Sequence, residues 1–133
     1  MINLLFVFKE WAHLGLRIII AVIFLAHGLP KLKNLSATAQ GFEAMGFRPG
    51  RFWGTFIALL EGIGGFLLLI GLGSQILGIL YAGQMLVATI WKIKNGQKFI
   101  NGYELDLLLL VGSLVLATSG GGLFAIDSYF RIW

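Results

Sequence analysis

Residues 11–29 of this chain read WAHLGLRIIIAVIFLAHGL and form a long, almost uninterrupted apolar segment. A helix needs about 20 predominantly apolar residues to cross the hydrocarbon core of a bilayer. This segment has that length and contains one charged residue, Arg17. Three further segments of similar character follow at residues 52–72, 75–91 and 103–119. The sequence therefore predicts an all-α integral membrane protein, an antiparallel bundle of four transmembrane helices that forms a single membrane domain over residues 1–133.

The composition of the whole chain agrees with a membrane location. Of the 133 residues, 58% are hydrophobic and 12% are charged, about half the charged fraction of a soluble domain. Four spans leave short loops and no room for a separate soluble domain. The absence of cysteine excludes a thiolate nucleophile, a disulfide relay and an iron–sulfur cluster held by this chain. The net charge of +4 indicates cytoplasmic loops and anionic lipid, and no nucleic-acid partner is expected.

The segments outside the spans are short, and the first and last of them are expected to lie at the membrane interface. Residues 2–8 are apolar but too short to span, which favours an interfacial lead-in helix. The longest loop, residues 33–51, is polar and is predicted to contain one short amphipathic helix around residues 37–45. Residues 123–133 are expected to form an interfacial tail in which Asp127 caps a helix.

Basic residues are distributed unevenly between the two sides of the predicted bundle. Lys9, Arg17 and Arg131 lie toward the side of the termini. Seven others fall in the first and third loops: Lys31, Lys33, Arg48, Arg51, Lys92, Lys94 and Lys98. The positive-inside rule therefore predicts that loops 30–51 and 92–102 are cytoplasmic and that both termini lie outside.

The first span carries its polar residues along one stripe. Positions that are three and four residues apart lie on the same face of a helix. An ionisable side chain inside hydrocarbon costs about 2.5–3.5 kcal/mol, so a polar stripe should face the interior of the bundle. The stripe consists of Arg17, Ile20, Phe24, His27 and Lys31.

Glu61 is the acid at the centre of the second span. Adjacent spans run antiparallel, and counting residues from each interface places Glu61 between the depths of Arg17 and His27. We expect Arg17 to reach Glu61 from one side and His27 to approach it from the other, directly or through water. The same Arg17–Glu61 pair is equally compatible with a purely structural role that fixes the packing of spans one and two.

These polar residues suggest proton chemistry. His27 is the candidate for proton exchange, because an unperturbed imidazole titrates near neutral pH, and a protonated Glu61 can donate to a carbonyl oxygen. Glu104, at the start of span four, is expected to face inward with His27 and Lys31, whereas Asp106 should point elsewhere and favour the helix dipole. The candidate catalytic residues are therefore His27, Glu61 and Glu104.

The remaining polar and small residues carry weaker predictions. Gly62, Gly64 and Gly65 indicate close helix packing, but they also leave space beside Glu61 for a flat ring. Gln84 is expected only to form a hydrogen bond between helices. No set of residues has the spacing of a metal site, so none is predicted.

Four motifs along the chain resemble the DoxX family of small, four-span bacterial membrane proteins. They are Phe24–Lys31 (FLAHGLPK) after Arg17, Glu61 with Gly64-Gly65 and Leu69-Ile70-Gly71, Gly102-Tyr103-Glu104, and Gly120-Gly121-Gly122 before Asp127. The resemblance implies a four-helix bundle in a bacterial cytoplasmic (inner) membrane and an oxidoreductase or quinone-linked role, with relatives tied to thiosulfate oxidation. It also implies recurrent polar positions at Arg17, His27, Lys31, Glu61, Tyr103, Glu104 and Asp127. Of these we predict Arg17, Lys31 and Tyr103 to be cofactor-binding residues, with a quinone as the cofactor to consider.

Three functions are compatible with these residues. The first is a quinone- or quinol-interacting subunit of a membrane redox system, in which electrons require a partner subunit or a bound flavin because the chain offers no electron carrier of its own. The second is a membrane scaffold or assembly factor whose basic loops bind a cytoplasmic partner. The third is a carrier for a small solute or a proton that uses Glu61. The expected partners are the lipid bilayer and either another subunit or a second copy of the chain.

Overall fold

A computed structural model describes residues 3–130 of the chain. The helices are α1 (Asn3–Phe6), α2 (Lys9–Lys33), α3 (Leu35–Ala44), α4 (Gly50–Ile70), α5 (Ser74–Lys94), α6 (Glu104–Ser119) and α7 (Ile126–Phe130). A five-residue π-type turn, Phe99–Tyr103, leads into α6. The predicted interfacial segments 2–8 and 123–133 extend beyond this range, since Ile2 and residues 131–133, with Arg131, lie outside the described residues.

Four of these elements are long and apolar enough to cross a membrane, which confirms the predicted all-α membrane fold. They are Lys9–Lys33, Gly50–Ile70, Ser74–Lys94 and Phe99–Ser119. Large apolar side chains cover their outer surfaces, with Ile79 62% and Leu108 70% exposed. Because such a surface is stable only against hydrocarbon, the environment of the bundle is lipid.

Several helix ends differ from the predicted span bounds, among them the C-terminal ends of α4 and α2. The second span ends at Ile70, two residues early, because Gly71 adopts a left-handed conformation with φ of 79° and terminates α4. Helix α2 continues through Pro30 to Lys33. Proline has no N–H, so the backbone hydrogen bond from residue 30 to the carbonyl of Ala26 is missing. Pro30 lies one turn before the end of α2, and the helix continues past it to Lys33. Lys31 therefore remains on the helix.

The bundle consists of two closely packed helix pairs, α2 with α4 and α5 with α6. Glycines permit both close approaches. A Cβ atom on Gly28 would lie 2.7 Å from the Cβ of Glu61, and one on Gly78 would lie 2.6 Å from the backbone nitrogen of Ala117. Helix α3 packs on the first turns of α4, where Gly54 faces Ala39.

The two pairs meet through side chains at the centre of the bundle. The rings of Phe24 and Tyr81 stack with centroids 3.8 Å apart, and both side chains are fully buried. The Tyr81 hydroxyl donates to the Leu60 carbonyl oxygen at 2.7 Å. Because few backbone contacts join the pairs, space remains between them on the side of the first and third loops.

Candidate ligand-binding site

A cavity of about 750 Å³ lies between the two helix pairs. Residues of α2, α4, α5 and α6 line its walls, and Phe42, Met45 and Phe47 line it from α3 and the segment that follows. Most of the lining is apolar or aromatic. Its polar residues are His27, Lys31, Glu61, Gln84, Lys92 and Asp106. A largely apolar cavity of this size with a few converging polar groups is typical of a small-molecule site.

Glu61 is the centre of the first polar cluster and is only 3% exposed. Its carboxylate accepts hydrogen bonds from the Lys31 ammonium and from the Gln84 side-chain amide. Helical side chains tilt toward the N-terminus, so Lys31 extends back along α2 toward Glu61. The cluster thus connects α2, α4 and α5. Because an ionised carboxylate only accepts hydrogen bonds, Nε2 of Gln84 must be the donor.

His27 lies at the edge of this cluster. It lines the cavity and is exposed on the surface of the protein, while Gly28, the next residue, is the one that faces α4. Its Nδ1 donates to the Ile23 carbonyl oxygen at 2.7 Å. A carbonyl can only accept, so Nδ1 carries the hydrogen and Nε2 is the acceptor of the neutral ring. Within residues 3–130, no hydrogen bond joins His27 to Glu61, contrary to the direct contact we considered.

The second polar cluster is an ion pair between α5 and α6. Lys92 Nζ lies 2.7 Å from Asp106 Oδ2, and Asp106 is 7% exposed. The prediction for the two acids of α6 is reversed in the structure. Glu104 is exposed, lies outside the cavity lining and accepts a hydrogen bond from the backbone of Asn101 at 3.2 Å. Two positions correspond to about 200° around a helix, so only one of these acids can face α5.

The polar residues of the cavity are better suited to an organic ligand than to a metal ion. Within the described range, 3–130, no three side chains of His, Cys, Asp or Glu lie close enough together to hold a metal ion. The cavity instead offers hydrogen-bond donors, in Lys31, Gln84 and Lys92, next to the two carboxylates. Such groups suit an organic ligand that carries oxygen atoms on an apolar frame.

Comparison with known proteins identifies the family. The sequence model of the DoxX family matches residues 12–93, from α2 to the end of α5. The chain belongs to the DoxX family. It is also 37% identical over 120 residues, 90% of this chain and 87% of the relative, to a Bacillus subtilis (strain 168) protein named "Putative oxidoreductase CatD". No solved structure matches.

Arg17 of this DoxX-family chain contacts the C-terminal segment and not Glu61, so the predicted pair is wrong. The guanidinium is 3% exposed and donates to the carbonyl oxygen of Gly121 at 2.7 Å, and to those of Leu69 and Phe124 at 3.4 Å. Leu69 and Glu61 are about 12 Å apart along α4, at 1.5 Å per residue. The C-terminal segment folds back beneath the bundle and provides two of the three acceptors, the carbonyl oxygens of Gly121 and Phe124. This contact depends on how the C-terminal segment folds against the bundle, so it could not be predicted from the spacing of residues within the spans.

Asp127 fastens the same segment to the DoxX bundle. Its two carboxylate oxygens accept hydrogen bonds from the backbone nitrogens of Gly73 and Ser74, both at 2.8 Å. Asp127 is therefore a cap, but it caps the N-terminus of α5 and not a helix of its own tail. Together with Arg17 it closes the end of the bundle opposite the cavity.

Tyr103 is half-buried and lies outside the cavity of the DoxX bundle. Its ring contacts Phe99 edge-on, with centroids 5.6 Å apart, across the π-type turn. Of the six residues singled out from the sequence, the structure brings His27, Lys31 and Glu61 together and leaves Arg17, Tyr103 and Glu104 elsewhere. It adds Gln84, Lys92 and Asp106 to the site.

Proposed function

We propose that this DoxX-family protein is a subunit of a membrane redox system that binds a quinone or quinol in the cavity between the helix pairs. The observation that carries the proposal is a buried polar cluster, Lys31, Glu61 and Gln84, that borders an otherwise apolar and aromatic cavity. A quinone has the matching chemistry, because it is a flat apolar ring with oxygen atoms at opposite edges.

The residues of the cavity suggest a division of roles. Lys31 and Gln84 are donors that can bind a ring oxygen. Glu61 and His27 are the groups that can accept or release the protons exchanged when a quinone becomes a quinol. Asp106, paired with Lys92, is the acid of α6 that lines the cavity. It therefore replaces Glu104 as the candidate acid on that helix. In this proposal Arg17 and Tyr103 support the fold and do not bind the ring.

Electrons must come from outside the chain. A partner subunit, or a flavin held by such a subunit, would deliver them, and the quinone pool of the bilayer would receive them. The name of the B. subtilis relative, which describes an oxidoreductase, supports a redox role for the present chain as well.

The test is a binding titration with matched variants. The protein is reconstituted in nanodiscs, and its thermal unfolding is followed at increasing concentrations of a 1,4-benzoquinone that carries two isoprenyl units. A ligand that binds the folded state raises its stability by about 2.7 kcal/mol at 100 times its Kd. We expect stabilisation of the wild type and of Glu104→Gln, and a loss of at least about tenfold in affinity for Glu61→Gln.

Glu104→Gln is the control because it makes the same chemical change in an exposed acid outside the cavity. If the wild type shows no quinone-dependent stabilisation, or if the two variants bind equally well, the proposal is refuted.

A scaffold function is the second candidate, and the exposed lysines of the third loop favour it. Lys94 and Lys98 extend from the end that carries the cavity and are exposed, so they are available to an acidic partner. This function predicts that a co-purifying protein is lost from a Lys94→Glu, Lys98→Glu double variant, while Glu61→Gln retains it. The opposite pattern would exclude the scaffold.

We also propose an orientation in a bacterial cytoplasmic membrane. Loops 30–51 and 92–102 hold most of the basic residues and would face the cytoplasm, so the cavity would lie in the cytoplasmic half of the bilayer. A C-terminal fusion to a reporter that is active only in the cytoplasm should be inactive. An active fusion would reverse this orientation.

A further inference from the structure

The cavity meets the surroundings of the protein mainly between α4 and α5. A residue that lines a cavity and is also exposed marks the edge of an opening. Such residues concentrate on these two helices, and the others are His27 on α2, Met45 after α3 and Leu105 on α6. We call the gap the α4–α5 opening, defined by Trp53, Phe56, Ile79, Gly83 and Val87.

The α4–α5 opening faces hydrocarbon. Its residues belong to two helices that span the membrane, and apart from Gly83 they are large and apolar. The loop-side end of the cavity is different, because the half-buried Phe42 and Phe47 form a wall there together with Met45, which at 37% is less exposed than the apolar residues of the opening. The Trp91 indole donates to the Met45 carbonyl oxygen at 3.0 Å and ties that wall to α5. The more open route into the cavity is therefore from the lipid.

Gly83 lies at the edge of this opening. It precedes Gln84, and a Cβ atom built on it meets nothing within 4 Å, unlike the packed glycines at the helix crossings. A side chain at this position would therefore begin in open space beside the cavity. A residue larger than glycine would narrow the opening.

We propose that the ligand is a membrane-dissolved quinone with an isoprenoid tail, that it enters through the α4–α5 opening, and that Gly83 sets the size of the tail that the opening accepts. This inference rests on the proposed function and specifies its substrate class. The ring lies next to Glu61 and Gln84. A cavity of about 750 Å³ holds a ring and the first part of a tail, so the rest of a long tail lies in the opening and continues into the lipid.

The test compares two quinones that share a ring. One carries two isoprenyl units and the other has no tail, and each is titrated against the wild type, Gly83→Leu and Gly15→Leu in nanodiscs. Gly15 is the matched control because it also lies in a membrane-spanning helix, is exposed and has no atom within 4 Å of its Cβ position, but it is outside the cavity lining.

We expect Gly83→Leu to weaken the binding of the tailed quinone by about tenfold or more, which corresponds to the lost burial of two or three methylene groups. The tail-free quinone should bind Gly83→Leu within about twofold of its wild-type affinity, and Gly15→Leu should bind both as the wild type does. If Gly83→Leu weakens both quinones equally, or neither, the α4–α5 opening is not the route of the tail and the inference is overturned. If the wild type binds neither quinone, the proposed function itself fails.

Discussion

The partner of Glu61 can be identified by two double-mutant cycles. The structure pairs Glu61 with Lys31, whereas the stripe on α2 predicts Arg17 from sequence. One cycle combines Lys31→Met with Glu61→Leu, and the other combines Arg17→Met with Glu61→Leu. Each cycle isolates the interaction energy between its two side chains, because the effects on all other neighbours cancel.

The burial and contacts of these side chains determine the expected losses of stability and the expected coupling energies. Breaking a fully buried ion pair costs about 3–5 kcal/mol, but the Lys31 side chain is 28% exposed and the Glu61 side chain 4%. With partial solvent screening at Lys31, we expect Lys31→Met to cost about 1–3 kcal/mol and to show a coupling energy of about 1–2 kcal/mol with Glu61→Leu. Arg17→Met should cost about 2–4 kcal/mol through its lost bonds to carbonyl oxygens, but its coupling to Glu61→Leu should stay within about 0.5 kcal/mol.

The assay is equilibrium unfolding in mixed micelles at increasing mole fractions of SDS, followed by circular dichroism. Free energies of unfolding are compared among the wild type, the three single variants and the two double variants. A coupling energy for Arg17 and Glu61 that equals or exceeds the one for Lys31 and Glu61 would refute the pairing in the structure.

Two further sets of substitutions, at Asp127 and at two glycines of α2, test the contacts that hold the bundle together. Asp127→Ala removes the cap of α5 and should lower the free energy of unfolding by about 1–2 kcal/mol in the same assay. Asp127→Asn should be intermediate in stability, because it keeps one acceptor oxygen. Equal stability of Asp127→Ala and the wild type would contradict the capping role. Gly28→Ala should cost about 1–3 kcal/mol, since its Cβ would lie 2.5 Å from the backbone carbonyl carbon of Glu61. Gly15→Ala should be neutral or stabilising by up to about 1 kcal/mol, because alanine favours the helix and nothing opposes it there; equal losses at the two glycines would disprove the close crossing.

The spans could be predicted from sequence because a bilayer imposes a simple rule. Any segment that crosses it must form all its backbone hydrogen bonds within itself, as a helix does, and must expose apolar side chains. Residues 11–29 can be recognised as such a segment without reference to the rest of the chain. The periodicity of α2 also identified the helix face that carries Lys31. These features depend on one helix at a time.

The partners within the site could not be predicted, since they depend on how helices rotate and on where the C-terminal segment folds. Counting residues from the interfaces places Glu61 between Arg17 and His27, but it carries no information about Gly121 and Phe124, whose carbonyl oxygens bind Arg17. The choice between Glu104 and Asp106 depended on where α6 begins after a turn with non-helical backbone at Ile100 and Asn101. Neither feature has a local sequence signal.

The proposal that the cavity binds a quinone is tested by identifying the molecule that occupies it in the purified protein. Wild type, Glu61→Gln and Glu104→Gln are purified in mild detergent, and the molecules that accompany each are identified by mass spectrometry after solvent extraction. A quinone or quinol should accompany the wild type and Glu104→Gln in amounts comparable to the protein, and should be largely lost from Glu61→Gln. Recovery of phospholipid alone, or of equal amounts of quinone from all three proteins, would contradict a quinone site at Glu61.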